Sequence, residues 1–205
     1  MRKAPIAALF ASLAFISEPA FAHHLMGGKT PDTFLQGLLS GLGHPVIGLD
    51  HLAAVVAVGC LAAAQHRGWM PVLGFVAAMM LGVAVHLQGT TVPAAELLVA
   101  LSVIGLGAII VWRRDLPAAT TLALFAVVGT VHGYALGESI YGAETSPLAA
   151  YLIGLAMVQS AVALAAMSIA SAALRRSDPV MVRLIGAGVA GVGLAVLMQQ
   201  IVPAA

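Results

Sequence analysis

Charge is scarce in this chain. Only 8% of its 205 residues are Asp, Glu, Lys or Arg, against roughly a quarter in soluble domains. That scarcity excludes an ordinary water-facing surface, because a soluble fold of this size has too little interior to hide the apolar remainder. Aromatic residues are also few, at 5%, and no basic cluster is interleaved with them, so nothing suggests a nucleic-acid-binding face. Cysteine occurs once, as Cys60. A single thiol excludes an intrachain disulfide, and Cys60, set in an apolar run, reads as a small packing residue. The sequence has no Gly-x-x-x-x-Gly-Lys-Ser/Thr phosphate loop for ATP and no His-Glu-x-x-His metalloprotease motif.

What is abundant is apolar surface. Hydrophobic residues make up 61% of the chain and its mean hydropathy is +1.03, which predicts an all-α, polytopic membrane helical bundle. The amino terminus reads separately. Met1-Arg2-Lys3 is basic, Ile6 to Ile16 is apolar but too short to span comfortably, and Ala20-Phe21-Ala22 supplies small residues for cleavage. Residues 1–22 are therefore expected to be a signal peptide. Residues 23–205 then form a single transmembrane domain that begins His23-His24 on the exported side.

Six apolar segments follow, at roughly 35–64, 69–88, 94–112, 117–137, 146–173 and 180–202, most of them near the about 20 residues that cross a bilayer. The first is long and contains Gly37, Gly41, Gly43, Pro45 and Gly48, so a tilted or locally unwound helix is expected there. Arg67, Arg113, Arg114, Arg175, Arg176 and Arg183 fall on one side of the predicted membrane and Lys29 alone on the other. The positive-inside rule makes the arginine side cytoplasmic. Both mature termini are then periplasmic, as a cleaved signal and six crossings also require, and the membrane is the inner membrane of a bacterium. In Gly186-x-Gly188-x-x-Gly191-x-Gly193 the small residues are expected to let helices pack closely.

Ionisable groups within the apolar segments are costly and therefore informative. They are His44, Asp50, His51, His86, Glu96, His132 and Glu138. His44 and His51, seven apart, would lie about 20° from eclipsed on a continuous helix, with Asp50 about 100° round from His51. His132 is likewise followed six positions later by a carboxylate, Glu138. The two groups lie on segments of opposite direction, as inverted three-helix repeats would give. On the predicted topology all seven fall between the outer surface and roughly the midplane.

Imidazole with carboxylate suits borderline divalent ions such as Ni²⁺, Co²⁺ and Zn²⁺. His86 either caps a carbonyl or binds metal, and Glu96 is either a ligand or an ordinary first-turn acid. His66, beside Arg67, reads as a loop residue, and Met79, Met80, Met157 and Met167 as packing. If cleavage exposes His23, its amine and imidazole, with His24, form a chelate at the periplasmic entrance.

The chain resembles the HupE/UreJ family of hydrogenase and urease accessory membrane proteins, which are regarded as nickel permeases. The family's His-x5-Asp-His matches His44, Asp50 and His51; its Phe-His-Gly-x-Ala/Val-x-Gly-Glu matches His132, Gly133, Ala135, Gly137 and Glu138, with Val131 replacing the phenylalanine. The resemblance implies uptake of Ni²⁺, or Co²⁺, from the periplasm without ATP hydrolysis, no prosthetic group, and an indirect link to hydrogenase, urease or other metalloenzyme maturation. Its partners would be the divalent ion and the bilayer, with a homo-oligomer left open. Two alternatives use the same ligands: a metal-dependent intramembrane enzyme, and an accessory protein that binds metal without passing it.

Overall fold

The computed structural model describes residues 29–112, 116–176 and 179–202. The expected signal peptide, His23, His24, Arg113 and Arg114 lie outside them. The described chain is helical, in the order α1 (Phe34–Ile47), α2 (Leu49–Ala62), α3 (Trp69–Leu87), α4 (Ala95–Trp112), α5 (Ala118–Gly137), a 3₁₀ turn (Glu138–Ile140), α6 (Thr145–Arg175) and α7 (Pro179–Ile201). Helices α3 to α7 are each long and apolar enough to cross a membrane, and α1 with α2 pass that test only together, as a bent pair with the shape of a broken span or a re-entrant loop. The last five predicted segments match helices to within two residues. Large apolar side chains such as Leu81, Val127, Ile153, Met157 and Leu184 face outward, the surface a bilayer requires of a helical bundle.

The first segment departs most from a simple span. Its two halves meet at 77°, and the hinge is Gly48, held extended at φ −71°, ψ 99°. The cause lies in the sequence: Pro45 has no N–H to give to residue 41, and its ring crowds that carbonyl. The ladder closes with the Gly48 N–H on the His44 carbonyl and resumes with the Leu52 N–H on the Gly48 carbonyl. The first half begins cleanly, with the Thr33 hydroxyl accepting from the Gln36 N–H at 3.2 Å.

Glycine sets the helix spacing. A Cβ on Gly41 of α1 would collide with the Tyr151 carbonyl of α6, and one on Gly133 of α5 would stand 2.6 Å from the Met79 carbonyl carbon of α3. The expected glycine-rich packing of α7 holds for half of its run. Gly186 and Gly193 abut α4, whereas Gly188 and Gly191 have no neighbour within 4 Å and are exposed. A seven-residue interval returns to one helix face, and the intermediate positions do not.

The main pairings are α3 with α5, α4 with α7, and α1 and α2 with α6. In span numbers these are 2 with 4, 3 with 6, and 1 with 5. Exchanging the first three spans for the last three reproduces the same set, the packing scheme that inverted repeats produce.

Candidate functional site

The break at Gly48 places a helix start inside the bundle. The first N–H groups of a helix have no partner within it, and their aligned dipoles favour negative charge. Asp50 meets both needs: its Oδ1 accepts from the His51 backbone N–H at 2.8 Å, and the residue is only 4% exposed. The fit beside it is tight: a Cβ at Gly48 would stand 3.0 Å from His51 Cδ2 and 3.3 Å from Asp50 Oδ1, so both side chains would have to give way.

From the start of α2, His51 reaches α5. Its Nδ1 lies 2.9 Å from Nδ1 of His132, and the two rings meet edge to face with centroids 5.0 Å apart. His132 is fully buried. On its other side, His132 Nε2 lies 2.8 Å from the hydroxyl of Ser102 on α4, and that hydroxyl donates to the Val99 carbonyl at 2.7 Å. His44, at the end of α1, is buried, with its ring centroid 6.5 Å from that of His51.

His44, Asp50, His51 and His132 are thus gathered around the break, from two spans, as the two motifs suggested. The reason differs from helical phase. His44 and His51 do not share a face of one helix; they sit on either side of a hinge, and the bend keeps them near each other. Asp50 is a first-turn residue of a new helix. Among the described residues, no group of three or more His, Cys, Asp and Glu side chains is arranged to hold a metal ion as it stands.

The other predicted residues stand apart. His86 packs against Tyr134 and Tyr141, with centroids 4.7 and 5.8 Å away, and its buried Nδ1 has no hydrogen-bond partner. Glu96 is exposed in the first turn of α4. Glu138 is exposed in the 3₁₀ turn, because six residues along a helix place it about 120° round from His132. Tyr134 has a structural part: its hydroxyl donates to the Thr90 carbonyl at 2.6 Å and accepts from the Val92 N–H at 2.9 Å, fastening the α3–α4 loop to α5.

Two residues at this level of the bundle carry no charge, and a search for ionisable groups passes over both. Ser102 is one. The other is Gln159 of α6, 1% exposed, with neither amide atom hydrogen-bonded. It lines a small gap with Pro45 and Val46 of α1 and Leu52 and Val55 of α2, directly across the break. The signals were present in sequence, as the lone hydroxyl of α4 and the lone amide of α6. Serine in a membrane helix, however, ordinarily bonds its own preceding turn, so neither residue type stands out unaided. A larger cavity, about 120 Å³, lies at the far end of α2 among Cys60, Gln65, Ile110, Thr121, Leu174 and Val182. There the Gln65 amide, just past α2, donates to the Leu116 carbonyl before α5 and to the Thr121 hydroxyl in its first turn.

The sequence profile of the family described as HupE / UreJ protein matches residues 11–196. The chain is 29% identical over 191 residues to Protein HupE of Rhizobium leguminosarum bv. viciae, covering 91% of this chain and 95% of that one. No solved structure matches it.

Proposed function

We propose that this chain, which belongs to the HupE/UreJ family of hydrogenase and urease accessory membrane proteins, is a permease that admits Ni²⁺, or Co²⁺, through the histidine–carboxylate cluster at its broken first span. The observation that carries the reading is the cluster itself. Three imidazoles and a carboxylate, all buried, surround a hinge in a membrane-spanning helix, where each ionisable group is expensive to keep. Nitrogen and oxygen donors of this kind suit Ni²⁺ and Co²⁺, and the start of α2 holds the one carboxylate that offsets the ion's charge. On the positive-inside topology the ion arrives from the periplasmic side of a bacterial inner membrane and leaves toward the arginine side, to be used in hydrogenase, urease or related metalloenzyme maturation.

The resting cluster is closed. His51 and His132 occupy each other's Nδ1 atoms, so neither Nδ1 is open to an ion in this arrangement. The broken helix provides the moving part, with Gly48 as hinge.

The direct test is uptake of radioactive nickel into lipid vesicles holding the purified full chain. Saturable accumulation above protein-free vesicles, reduced by competing Co²⁺, is the expected result. Equal accumulation with and without protein overturns the permease reading. Binding without accumulation would assign the chain instead to metal holding.

Gln159 gives a second expectation. An amide buried without a partner costs about 1–3 kcal/mol, so Gln159→Leu should raise the thermal unfolding midpoint in detergent. In vesicles the same variant should slow nickel uptake several-fold, because a hydrated ion passing the break loses a polar neighbour. A variant that is both less stable and equally fast contradicts this placement.

A further inference from the structure

The hydrogen bonds behind the histidine pair have a direction, and Ser102 sets it. A carbonyl can only accept, so the single proton of the Ser102 hydroxyl is committed to Val99, 2.7 Å away. The hydroxyl oxygen therefore accepts from its other neighbour, and His132 Nε2, at 2.8 Å, carries a proton. A neutral imidazole with its proton on Nε2 has a lone pair on Nδ1. That lone pair faces His51 Nδ1 at 2.9 Å, which must then be the protonated nitrogen of His51. The remaining nitrogen of neutral His51, Nε2, is left with its lone pair.

We propose that Ser102 is a positioning residue that fixes the tautomers of His132 and His51, so that His51 presents Nε2 to the arriving cation. The proposal rests on the permease reading for its consequence in transport, but not for the tautomers themselves. Metal-binding histidines commonly have the second ring nitrogen held by a carbonyl or carboxylate, which settles the tautomer and aims the ring. Here that task falls to a second histidine and a serine on a third helix, anchored by a backbone carbonyl. One turn of α4 thereby decides the chemistry of a residue on α2 that it does not bond directly. No ion is needed to establish the order, because every link lies within the protein.

Removing the hydroxyl should reverse the chain. In Ser102→Ala the buried Nε2–H of His132 loses its acceptor, and an unpaired buried donor is unfavourable. The proton is better placed on His132 Nδ1, donating to His51 Nδ1, which moves the His51 proton to Nε2. The lone pair offered to the ion is then gone. Ser102→Thr keeps a hydroxyl that can bond the preceding turn in the same way.

Two measurements on the full chain in lipid nanodiscs and vesicles test this. Nitrogen-15 histidine spectra of the metal-free protein separate the two tautomers of a neutral ring. The expected wild-type pattern is Nε2–H for His132 and Nδ1–H for His51, retained in Ser102→Thr and reversed in Ser102→Ala. In uptake, Ser102→Ala should raise the half-saturating nickel concentration about tenfold, the lower range for residues behind a metal ligand, with the maximal rate far less affected and Ser102→Thr close to wild type. A wild-type His51 found as Nε2–H, or tautomers unchanged in Ser102→Ala, overturns the proposal even if nickel uptake is normal. The expected tautomers in a protein that moves no nickel would leave the relay standing and remove the permease reading.

Discussion

Vesicles carrying the Asp50→Ala, His51→Ala double variant will accumulate nickel no faster than vesicles without protein. Asp50 is the one carboxylate in the buried cluster, and removing a buried counter-charge costs about 3 kcal/mol or more. At 1.4 kcal/mol per factor of ten, that alone weakens ion binding by more than about a hundredfold. His51 adds the nitrogen that bridges the break to α5. Its loss also leaves His132 without its Nδ1 partner, inside the bundle and far from water.

Asp50 has a structural duty as well, since its Oδ1 accepts from the His51 N–H. Asp50→Asn separates the two. Asparagine keeps an oxygen for that N–H but has no charge, so this variant should extract and unfold as the wild type does while still failing to accumulate nickel. Wild-type rates in Asp50→Asn would show that the ion's charge is balanced elsewhere. Wild-type rates in the double variant would end the case for this cluster as the route.

Gly133→Val will abolish recovery of folded protein from the membrane. Gly133 stands where α5 crosses α3, and a Cβ there would lie 2.6 Å from the Met79 carbonyl carbon and 2.7 Å from its Cα. Both contacts are helix backbone, which cannot rotate aside as a side chain does. The helices must part along a seam that also includes Gly82 against Thr130 and Gly129 against Phe75. Overpacking of this kind costs about 3 kcal/mol, a large share of the stability of an ordinary domain. Parting α3 from α5 would also carry His132, the preceding residue, away from Ser102 and His51.

Gly188→Val is the matched control. It makes the same chemical change at an exposed position with no neighbour within 4 Å, and its added methyls would face lipid. Monodisperse yield and unfolding midpoint after detergent extraction should collapse for Gly133→Val and stay at wild-type levels for Gly188→Val. Two glycines alike in composition are thus expected to differ completely in consequence.

The last five helices, their limits and the membrane class were legible in the sequence, because each depends on local quantities. The count of apolar residues between polar loops fixes a span, and lipid leaves the backbone no alternative to helix. The weakness of the first span was legible too, since Pro45 and Gly48 act on their own turn. Four residues of the buried polar cluster, His44, Asp50, His51 and His132, could be chosen from sequence because an ionisable group in an apolar run is conspicuous whatever its neighbours.

What the tertiary structure decided is how these pieces face one another. It turned one span into two helices at 77°, replacing a shared helical face with a hinge. It made Asp50 a first-turn residue, left Glu96 and Glu138 exposed and placed His86 among tyrosines rather than beside His51. It brought Ser102 and Gln159, both uncharged, to the level of the break. The reason is that side-chain partnership depends on which helices cross and at what height. Those crossings are set by backbone contacts at glycines such as Gly41, Gly82 and Gly133, whose partners lie far away in the chain. Local pattern determined that there is a polar site in this membrane protein; the packing of distant glycines determined which atoms compose it.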